Sequence, residues 1–439
     1  MTYWPSVVVA TPAHSGLGGP LTYRSEQPLA AGCLVRVPLG PREVLGIVWS
    51  CPAAPPPDCT EDIVRPIVAV LDGLPPLAAG WRQLVAFAAR YYQRGLGEMA
   101  LSALPPALRD LDNIQLARRL KRLAKSTASP TGAGASVDRP EPSAEQQSVL
   151  EALHTLDRPA LLFGSTGSGK TEVYLRATEQ ALQDNPVAQV LVLVPEINLT
   201  PQLETRFRQR FEPLHGSPAL VCLHSGMTPA QRLQAWLAAH AGSARIVLGT
   251  RMAIFASLPG LRLIVVDEEH DPSYKSQEGA RYSARDLAVY RAKVESAQNR
   301  RPCRVILGSA TPSLESWHAA DQGRYQRLAM PARIGGGELP RLRLVDMNHQ
   351  PKGATLSPPL LAAMEERIAR GEQCLVLLNR RGYAPVLACD ACAWKSQCPH
   401  CSAYQVFHKL DRTLRCHHCG LTRRVPRACP DCGNLDIAP

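Results

Sequence analysis

The sequence predicts an α/β protein: a parallel sheet with helices on both faces, preceded by a β-rich N-terminal domain and followed by a cysteine-rich region. Three observations predict it. From residue 143 onward, short apolar runs alternate with segments of helical spacing. A glycine-rich loop joins the first of those runs to the first helix after it. Eight cysteines form four CxxC pairs between residues 389 and 432.

A chain of 439 residues is long enough for two to four domains. Its net charge of +11 suits a polyanionic partner such as DNA, and equally a generally basic protein with no such partner. No stretch approaches the roughly 20 apolar residues of a membrane span. Met1 to Ser15 has one short apolar run with no basic residue before it, too little for a secretory signal, so a reducing cytosol is expected. Fourteen cysteines in that setting point to metal binding rather than to disulfides.

Along the chain, Cys33 to Val37 and Val44 to Trp49 are apolar and β-branched around the turn formers Pro38, Gly40 and Pro41, which predicts two strands. Trp81 to Tyr92 has helical spacing. Pro52 to Pro57 reads as a loop. Arg109 to Lys125 predicts a short helix bearing Arg118, Arg119, Lys121, Arg122 and Lys125, a solvated charged face before DNA contact need be invoked. Ser126 to Pro142 is a Ser, Gly and Pro-rich linker. Buried parallel strands are expected at Ala160 to Phe163, Val190 to Val194, Ala219 to Leu223, Arg245 to Leu248, Leu263 to Val266 and Val305 to Leu307. Cys374 to Leu378 is expected to open a second α/β lobe.

The strongest local signal is Gly164-Ser165-Thr166-Gly167-Ser168-Gly169-Lys170-Thr171, a GxxxxGKT loop. Its backbone N–H groups would wrap nucleotide phosphates at a helix N-terminus, Lys170 would neutralise the outer phosphates, and the Thr171 hydroxyl would hold Mg²⁺. Hydrolysis also needs a carboxylate for the metal and a group to act on the attacking water. The strand end Asp267-Glu268-Glu269-His270 supplies them: Asp267 for Mg²⁺ and Glu268 for the water, with His270 counted in the catalytic group. The acidic tetrapeptide alone is modest evidence; about a hundred residues after a phosphate loop and at the end of an apolar strand, it defines with that loop a nucleotide-hydrolysing site.

Further pieces resemble helicase superfamily two. Gly308-Ser309-Ala310-Thr311-Pro312 looks like its Ser-Ala-Thr motif, Gln146 sits where it reads adenine, and Val194-Pro195-Glu196 and Gly249-Thr250-Arg251 resemble its DNA-backbone motifs. Cys389, Cys392, Cys398, Cys401, Cys416, Cys419, Cys429 and Cys432 fill two tetrahedral zinc sites, with three pairings of the CxxC turns open. His400, His408, His417 and His418 are then bystanders. Arg412, Arg415, Arg423, Arg424 and Arg427 line either a DNA or partner surface or a solvated exterior.

Together these residues resemble the PriA family of bacterial replication-restart helicases, over nearly the whole chain. The specific stretches are Gly167 to Tyr174, Val194 to Ile197 with Leu199 to Gln202, Asp267 to His270 with Ser273-Tyr274-Lys275, Arg281-Tyr282 with Ala284-Arg285-Asp286, Leu378 to Pro385 and the cysteine spacing. The resemblance implies an N-terminal 3′-end-binding domain over 1–106, a basic helix and linker over 107–142, and a RecA-like P-loop helicase lobe over 143–335. The start of a second RecA-like lobe over 336–388 and a two-zinc insertion over 389–435 would follow.

It further implies an ATP- and Mg²⁺-dependent 3′-to-5′ DNA helicase of the bacterial cytoplasm that acts on forks, displacement loops and single strands. The implied partners are primosome proteins, single-stranded-DNA-binding protein and the machinery that loads the replicative helicase. Asp271 to Asp286 matches the family's aromatic-rich loop, so Tyr274, Lys275, Tyr282 and Arg285 join Thr250 and Arg251 as expected DNA contacts. In the family the outer CxxC pairs share one zinc and the inner pairs the other. Leu21-Thr22-Tyr23 replaces the family's aromatic-Asp-Tyr turn, leaving Tyr23, Gly40 and Arg65 as candidates for the 3′-end pocket. The family's winged helix has only Asp110 to Pro142 to occupy and is expected to be absent; the later motifs of the second lobe, with the arginine finger, are not in the sequence, so an incomplete form with poor turnover is expected. The alternative is a zinc-dependent DNA-binding or primosome scaffold without ATP turnover.

Overall fold

The computed structural model describes residues 2–11, 19–55, 64–127, 139–195, 200–334, 341–351, 354–377, 386–401, 403–416 and 419–438. They fall into two compact units, Met1–Glu338 and Leu339–Pro439.

The first unit opens with an antiparallel sheet in the order β2-β1-β4-β3-β5, formed by β1 (Ser6–Val9), β2 (Leu21–Thr22), β3 (Leu34–Leu39), β4 (Arg42–Ser50) and β5 (Ala69–Val70). Both expected strands are present, paired Leu39↔Arg42 across the tight turn at Gly40, whose φ of +61° suits a residue without a Cβ. Helices α1 (Ala79–Tyr91), α2 (Leu96–Ser102) and α3 (Asn113–Thr127) follow. On α3, Leu116 and Leu123 are buried while Arg118, Lys121, Arg122 and Lys125 face solvent, as a one-sided apolar stripe requires.

The large sheet is all parallel, in the order β12-β6-β11-β10-β7-β9-β8. Its strands are β6 (Ala160–Gly164), β7 (Gln189–Leu193), β8 (Leu220–Leu223), β9 (Ile246–Gly249), β10 (Leu261–Asp267), β11 (Arg304–Ser309) and β12 (Gln326–Met330). Helix α4 (Ala144–Thr155) precedes the first strand, and the crossover helices are α5 (Lys170–Gln183), α6 (Thr200–His215), α7 (Pro229–His240), α8 (Ala284–Asn299) and α9 (Leu314–Asp321). Central strands are buried on both faces, which is why they read as continuous Val, Ile and Leu runs. The edge strand β12, QRLAM, was not foreseen; three of its five residues are exposed and its sequence carries no such run.

The N-terminal helices dock on the lobe through the short turn Arg251–Phe255. Trp81 Nε1 donates to the Phe255 carbonyl at 2.7 Å, and the fully buried Arg291 donates to the carbonyls of Ile254 (2.6 Å) and Ala256 (2.8 Å). Glu295 lies 3.6 Å from Arg291 and packs where a Cβ on Gly80 would stand, so Gly80 lets the two helices approach.

His240 bridges the same junction. Its Nε2 donates to the Pro75 carbonyl at 2.8 Å, leaving Nδ1 to accept from Ser257 Oγ at 2.8 Å, so the neutral ring is satisfied. Burial pushes it down from 6.5 to about 4, with the Pro75 hydrogen bond pulling the other way. The folded pKa is depressed, so the contribution is whole above the unfolded value of about 6.5 and is lost as pH falls toward 4, amounting to about 3 kcal/mol at that end. Urea titrations at pH 7 and pH 5 should show a larger loss of stability in the parent than in His240→Gln; equal losses would place the proton elsewhere.

The second unit carries α10 (Pro358–Ala369) and small antiparallel pairings: β13 (Ala388–Cys389) with β17 (Ile437–Ala438), and β14 (Val406–His408), β15 (Thr413–Arg415) and β16 (Thr422–Arg424) in one sheet. Here one expectation is corrected. Cys374 to Leu377 forms no strand, and Leu375 and Leu377 are almost fully exposed. A parallel strand is stable only with neighbours on its hydrogen-bonding edges and its faces, and this run has neither among the described residues of its unit. Leu378 to Pro385, Glu196 to Leu199, His417 and His418 lie outside the described residues.

Candidate nucleotide site and metal centres

Three adjacent strands, β6, β11 and β10, end level with one another: Leu162 pairs with Gly308, and Gly308 with Asp267. The GxxxxGKT loop leaves the first, the Ser-Ala-Thr segment the second and the acidic tetrapeptide the third. Gly167 (φ +85°) and Gly169 (φ +82°) make the left-handed turns that deliver the chain into α5 at Lys170. The N–H groups of Lys170 and Thr171, in the first turn, lack intrahelical carbonyls and form an anion cradle.

Lys170 Nζ donates to the Gly164 carbonyl at 2.9 Å and lies 4.0 Å from Glu268 Oε1. The cradle and the acidic strand end therefore meet. Asp267 Oδ1 accepts from the Tyr174 hydroxyl at 2.9 Å. To get there the phenol passes under β11, and a Cβ on Gly308 would stand 1.8 Å from its oxygen. Burial, then the Glu268 charge, push the Asp267 carboxyl up, while Tyr174 and Lys170 pull it down. A divalent cation beside Asp267 would favour its charged form as Lys170 does, and the oxygen donors present, the half-buried Asp267 carboxylate and the Thr171 hydroxyl in the first turn of α5, suit Mg²⁺.

Around this pair, Glu268 adopts a left-handed backbone (φ +46°), and His270 Nδ1 lies 2.7 Å from the Ser309 hydroxyl and 3.6 Å from Glu268 Oε2. Ser165 donates to the Pro331 carbonyl at 3.0 Å, Ser168 is buried, and Thr166 faces solvent. Gln146 is buried as the third residue of α4: its Oε1 accepts from Ser143 N–H at 2.8 Å and its Nε2 donates to the Gly169 carbonyl at 3.2 Å. It buttresses the phosphate loop directly. Ser309 and Tyr174 lie in motifs the sequence marked, but their contacts with His270 and Asp267 were not foreseen; the signal for Tyr174 was its place one turn beyond Lys170.

The expected DNA contacts divide. Tyr274 is a core residue at 2% exposure, with its hydroxyl within hydrogen-bond distance of the Leu193 (3.0 Å) and Asp267 (2.6 Å) carbonyls. Tyr282 is likewise buried, edge-on to Phe255, and burial pushes its phenol up to about 12. Neither ring offers a face for a base to stack on, because both fill the gap beneath the loop. Arg251 donates to the Ser273 (2.9 Å) and Lys275 (3.1 Å) carbonyls, and Arg285 joins Asp286 and Glu269. Lys275 is exposed over the Tyr92 ring at 5.2 Å, and Thr250 is half-buried. In the N-terminal sheet, Tyr23 is buried with its hydroxyl donating to the Pro38 carbonyl at 3.0 Å, while the exposed Arg65 donates to the Gly40 carbonyl at 2.8 Å. The three residues share one end of the sheet.

The cysteines gather as Cys389, Cys392, Cys429 and Cys432, and as Cys398, Cys401, Cys416 and Cys419, with all four sulfurs of each set within 4.8 Å of one another. Sulfur pairs stand at 3.7 Å (Cys389–Cys432) and at 3.5 Å (Cys392–Cys429, Cys398–Cys419 and Cys401–Cys416). Four ligands about 2.3 Å from a tetrahedral Zn²⁺ are about 3.8 Å apart, so both sets fit the ion. The turns are built for it: Gly420 and Gly433, each just after a CxxC, have φ of +81° and +76° and donate to the carbonyls of Cys416 and Cys429 at 2.9 Å. Asn434 Nδ2 (3.6 Å) points at Cys389 Sγ and the His400 N–H (3.4 Å) at Cys398 Sγ, donors that stabilise thiolate charge.

Comparison with known proteins agrees with this geometry. Residues 143–319 match the DEAD/DEAH box helicase family, residues 6–105 the 3′ DNA-binding domain of PriA, and residues 398–424 the Cys-rich region domain of PriA DNA helicase. Replication restart protein PriA of Haemophilus influenzae is 36% identical over 93% of this chain and 63% of its own length. That of Treponema pallidum is 35% identical over 99% of this chain and 63% of its own, and that of Bacillus subtilis 41% identical over 67% and 36%. The chain thus spans less than two thirds of the length of these relatives. With a helicase domain between two PriA-specific regions, and relatives of that name along nearly all of its length, the chain belongs to the PriA family of replication restart proteins.

Proposed function

We propose that this chain carries the ATP-binding motor lobe and the DNA-recognition domain of an ATP-dependent 3′-to-5′ DNA helicase that acts on stalled forks and displacement loops. The observation that carries the reading is the meeting of Lys170 with Glu268 beside Asp267, since hydrolysis of a Mg-nucleotide needs a cation, a phosphate cradle and two carboxylates in one place. ATP and Mg²⁺ are its cofactors, and zinc organises the cysteine sites. Residues 1–106 bind the DNA end, 143–335 hydrolyse ATP, 336–388 begin a second lobe and 389–435 hold the metals, with 107–142 as basic helix and linker. Its partners are forked and single-stranded DNA, primosome proteins, single-stranded-DNA-binding protein and the replicative helicase loading machinery, in the bacterial cytoplasm. Among the described residues no helix is long and apolar enough to cross a membrane.

Steady-state ATP turnover with and without forked DNA tests this reading. DNA should raise the rate at least about tenfold. A second reading, a zinc-dependent scaffold without turnover, draws on the metal centres, which are complete without any nucleotide residue. It predicts fork binding that is unaffected by ATP and no DNA-stimulated phosphate release.

A further inference from the structure

Glu269 follows Glu268 directly but faces a different neighbour. It is buried at 1% exposure, against the start of α9. Its Oε1 accepts the Ser313 N–H at 2.7 Å; its Oε2 accepts the Ser313 (3.0 Å) and Ser316 (2.8 Å) hydroxyls and Arg285 Nη1 at 3.4 Å. Arg285 Nη1 also donates to Ser313 Oγ at 2.7 Å, and Ser313 is the N-cap of α9. One carboxylate thus joins three segments: the end of β10, the first turn of α8, and the helix that begins just after Ser309-Ala310-Thr311.

A buried carboxylate is a poor choice for packing alone. Its desolvation is costly, and an apolar residue of similar size would fill the space at least as well. What the carboxylate supplies is direction. Four donors fix its orientation, and the favourable field at a helix N-terminus holds its charge. It also fixes the backbone of the next residue back, Glu268, whose left-handed φ of +46° is strained for a side chain of that size. On the other side, Arg285 lies just beyond the loop 271–283, which is tied to the segment that follows α1 by Ser283 N–H to the Tyr92 hydroxyl (3.0 Å) and by Arg94 to the Gly279 carbonyl (2.6 Å).

We propose that Glu269 and Arg285 are a positioning pair, which aims Glu268 at the reacting water and makes that aim depend on where the loop 271–283 holds α8. This rests on the helicase reading above. Nucleotide binding uses other atoms, so the pair acts on turnover and not on affinity.

The test compares the parent chain with Glu269→Gln, Arg285→Gln, the double variant and Lys170→Ala. Glu269→Gln keeps the shape and removes the charge. The expected result is a kcat lowered at least tenfold, with KM and the dissociation constant of a fluorescent ATP analogue within twofold of the parent. The double variant should be no slower than Glu269→Gln, because both break one link. A Glu269→Gln kcat within twofold of the parent, a KM that rises in step, or additive losses would each overturn the proposal. If Lys170→Ala is inactive while Glu269→Gln is normal, this inference fails alone; if Lys170→Ala turns over like the parent, the helicase reading fails. Amide exchange supplies a readout that needs no turnover: Mg-nucleotide should protect 309–316 in the parent and not in Glu269→Gln, and equal protection in both would contradict the pair's role.

Discussion

Lys170→Ala is expected to lower ATP turnover at least about 100-fold, the loss typical when one preorganised donor to the transferring group is removed. The ammonium is held by the Gly164 carbonyl at 2.9 Å and stands 4.0 Å from Glu268, with only a tenth of the side chain exposed. Its charge serves two ends. It meets the outer phosphates, and it offsets the burial that pushes Asp267 up. Without it the strand end holds two carboxylates and no cation, so Asp267 rises further and Mg²⁺ must overcome a larger protonation cost. Lys170→Arg should not rescue, because a planar guanidinium cannot take the place of a compact ammonium under the loop. Turnover is read by phosphate release at saturating ATP and Mg²⁺. Circular dichroism and zinc content should match the parent, since the side chain lies within the cradle and far in sequence from the metal ligands.

Removal of zinc should have a larger structural effect. The cysteine-rich region has strands of only two or three residues, and its buried apolar side chains are chiefly Leu387, Leu414 and the cysteines themselves. Such a core cannot offset the entropy of ordering about fifty residues, whereas structural Zn²⁺ contributes on the order of 10–16 kcal/mol per site. The chain should bind two zinc ions. A strong chelator should release both and bring the amides of 386–438 to unprotected exchange, while the thermal transition of 1–338 stays where it was. Single substitutions test the grouping of the ligands. Cys416→Ser should abolish one ion and leave the Cys389, Cys392, Cys429 and Cys432 site filled, and Cys432→Ser should do the reverse. Loss of both ions from either variant would mean that the sites form one cooperative cluster.

Much of this was legible in the residues, for reasons that differ by element. The phosphate loop is local, eight consecutive positions between a strand and a helix, so sequence alone places Lys170 at the start of α5. Parallel strands buried on both faces announce themselves as apolar runs; the edge strand β12 does not, because most of its residues face solvent. The same rule misleads at Cys374 to Leu377, where an apolar run has no sheet to join. Long-range partners were invisible. Tyr174 reaches Asp267 across 93 positions, and Trp81 reaches the Phe255 carbonyl across 174. Aromatic residues in a loop are ambiguous by nature. Tyr274 and Tyr282 could have stacked on bases or filled a cavity, and only the packing shows that they fill one. For the cysteines, spacing established that two tetrahedral sites exist, and the fold then grouped them as outer with outer and inner with inner.

The most direct measurement replaces Mg²⁺ with paramagnetic Mn²⁺ and asks whether one ion joins the phosphate loop to the acidic strand end. In the presence of ATP, electron–nuclear double resonance should show one tightly bound Mn²⁺ per chain coupled to phosphorus nuclei, with the signal lost in Asp267→Asn and in Lys170→Ala alike. A manganese ion that binds without nucleotide coupling, or one indifferent to both substitutions, would contradict the account.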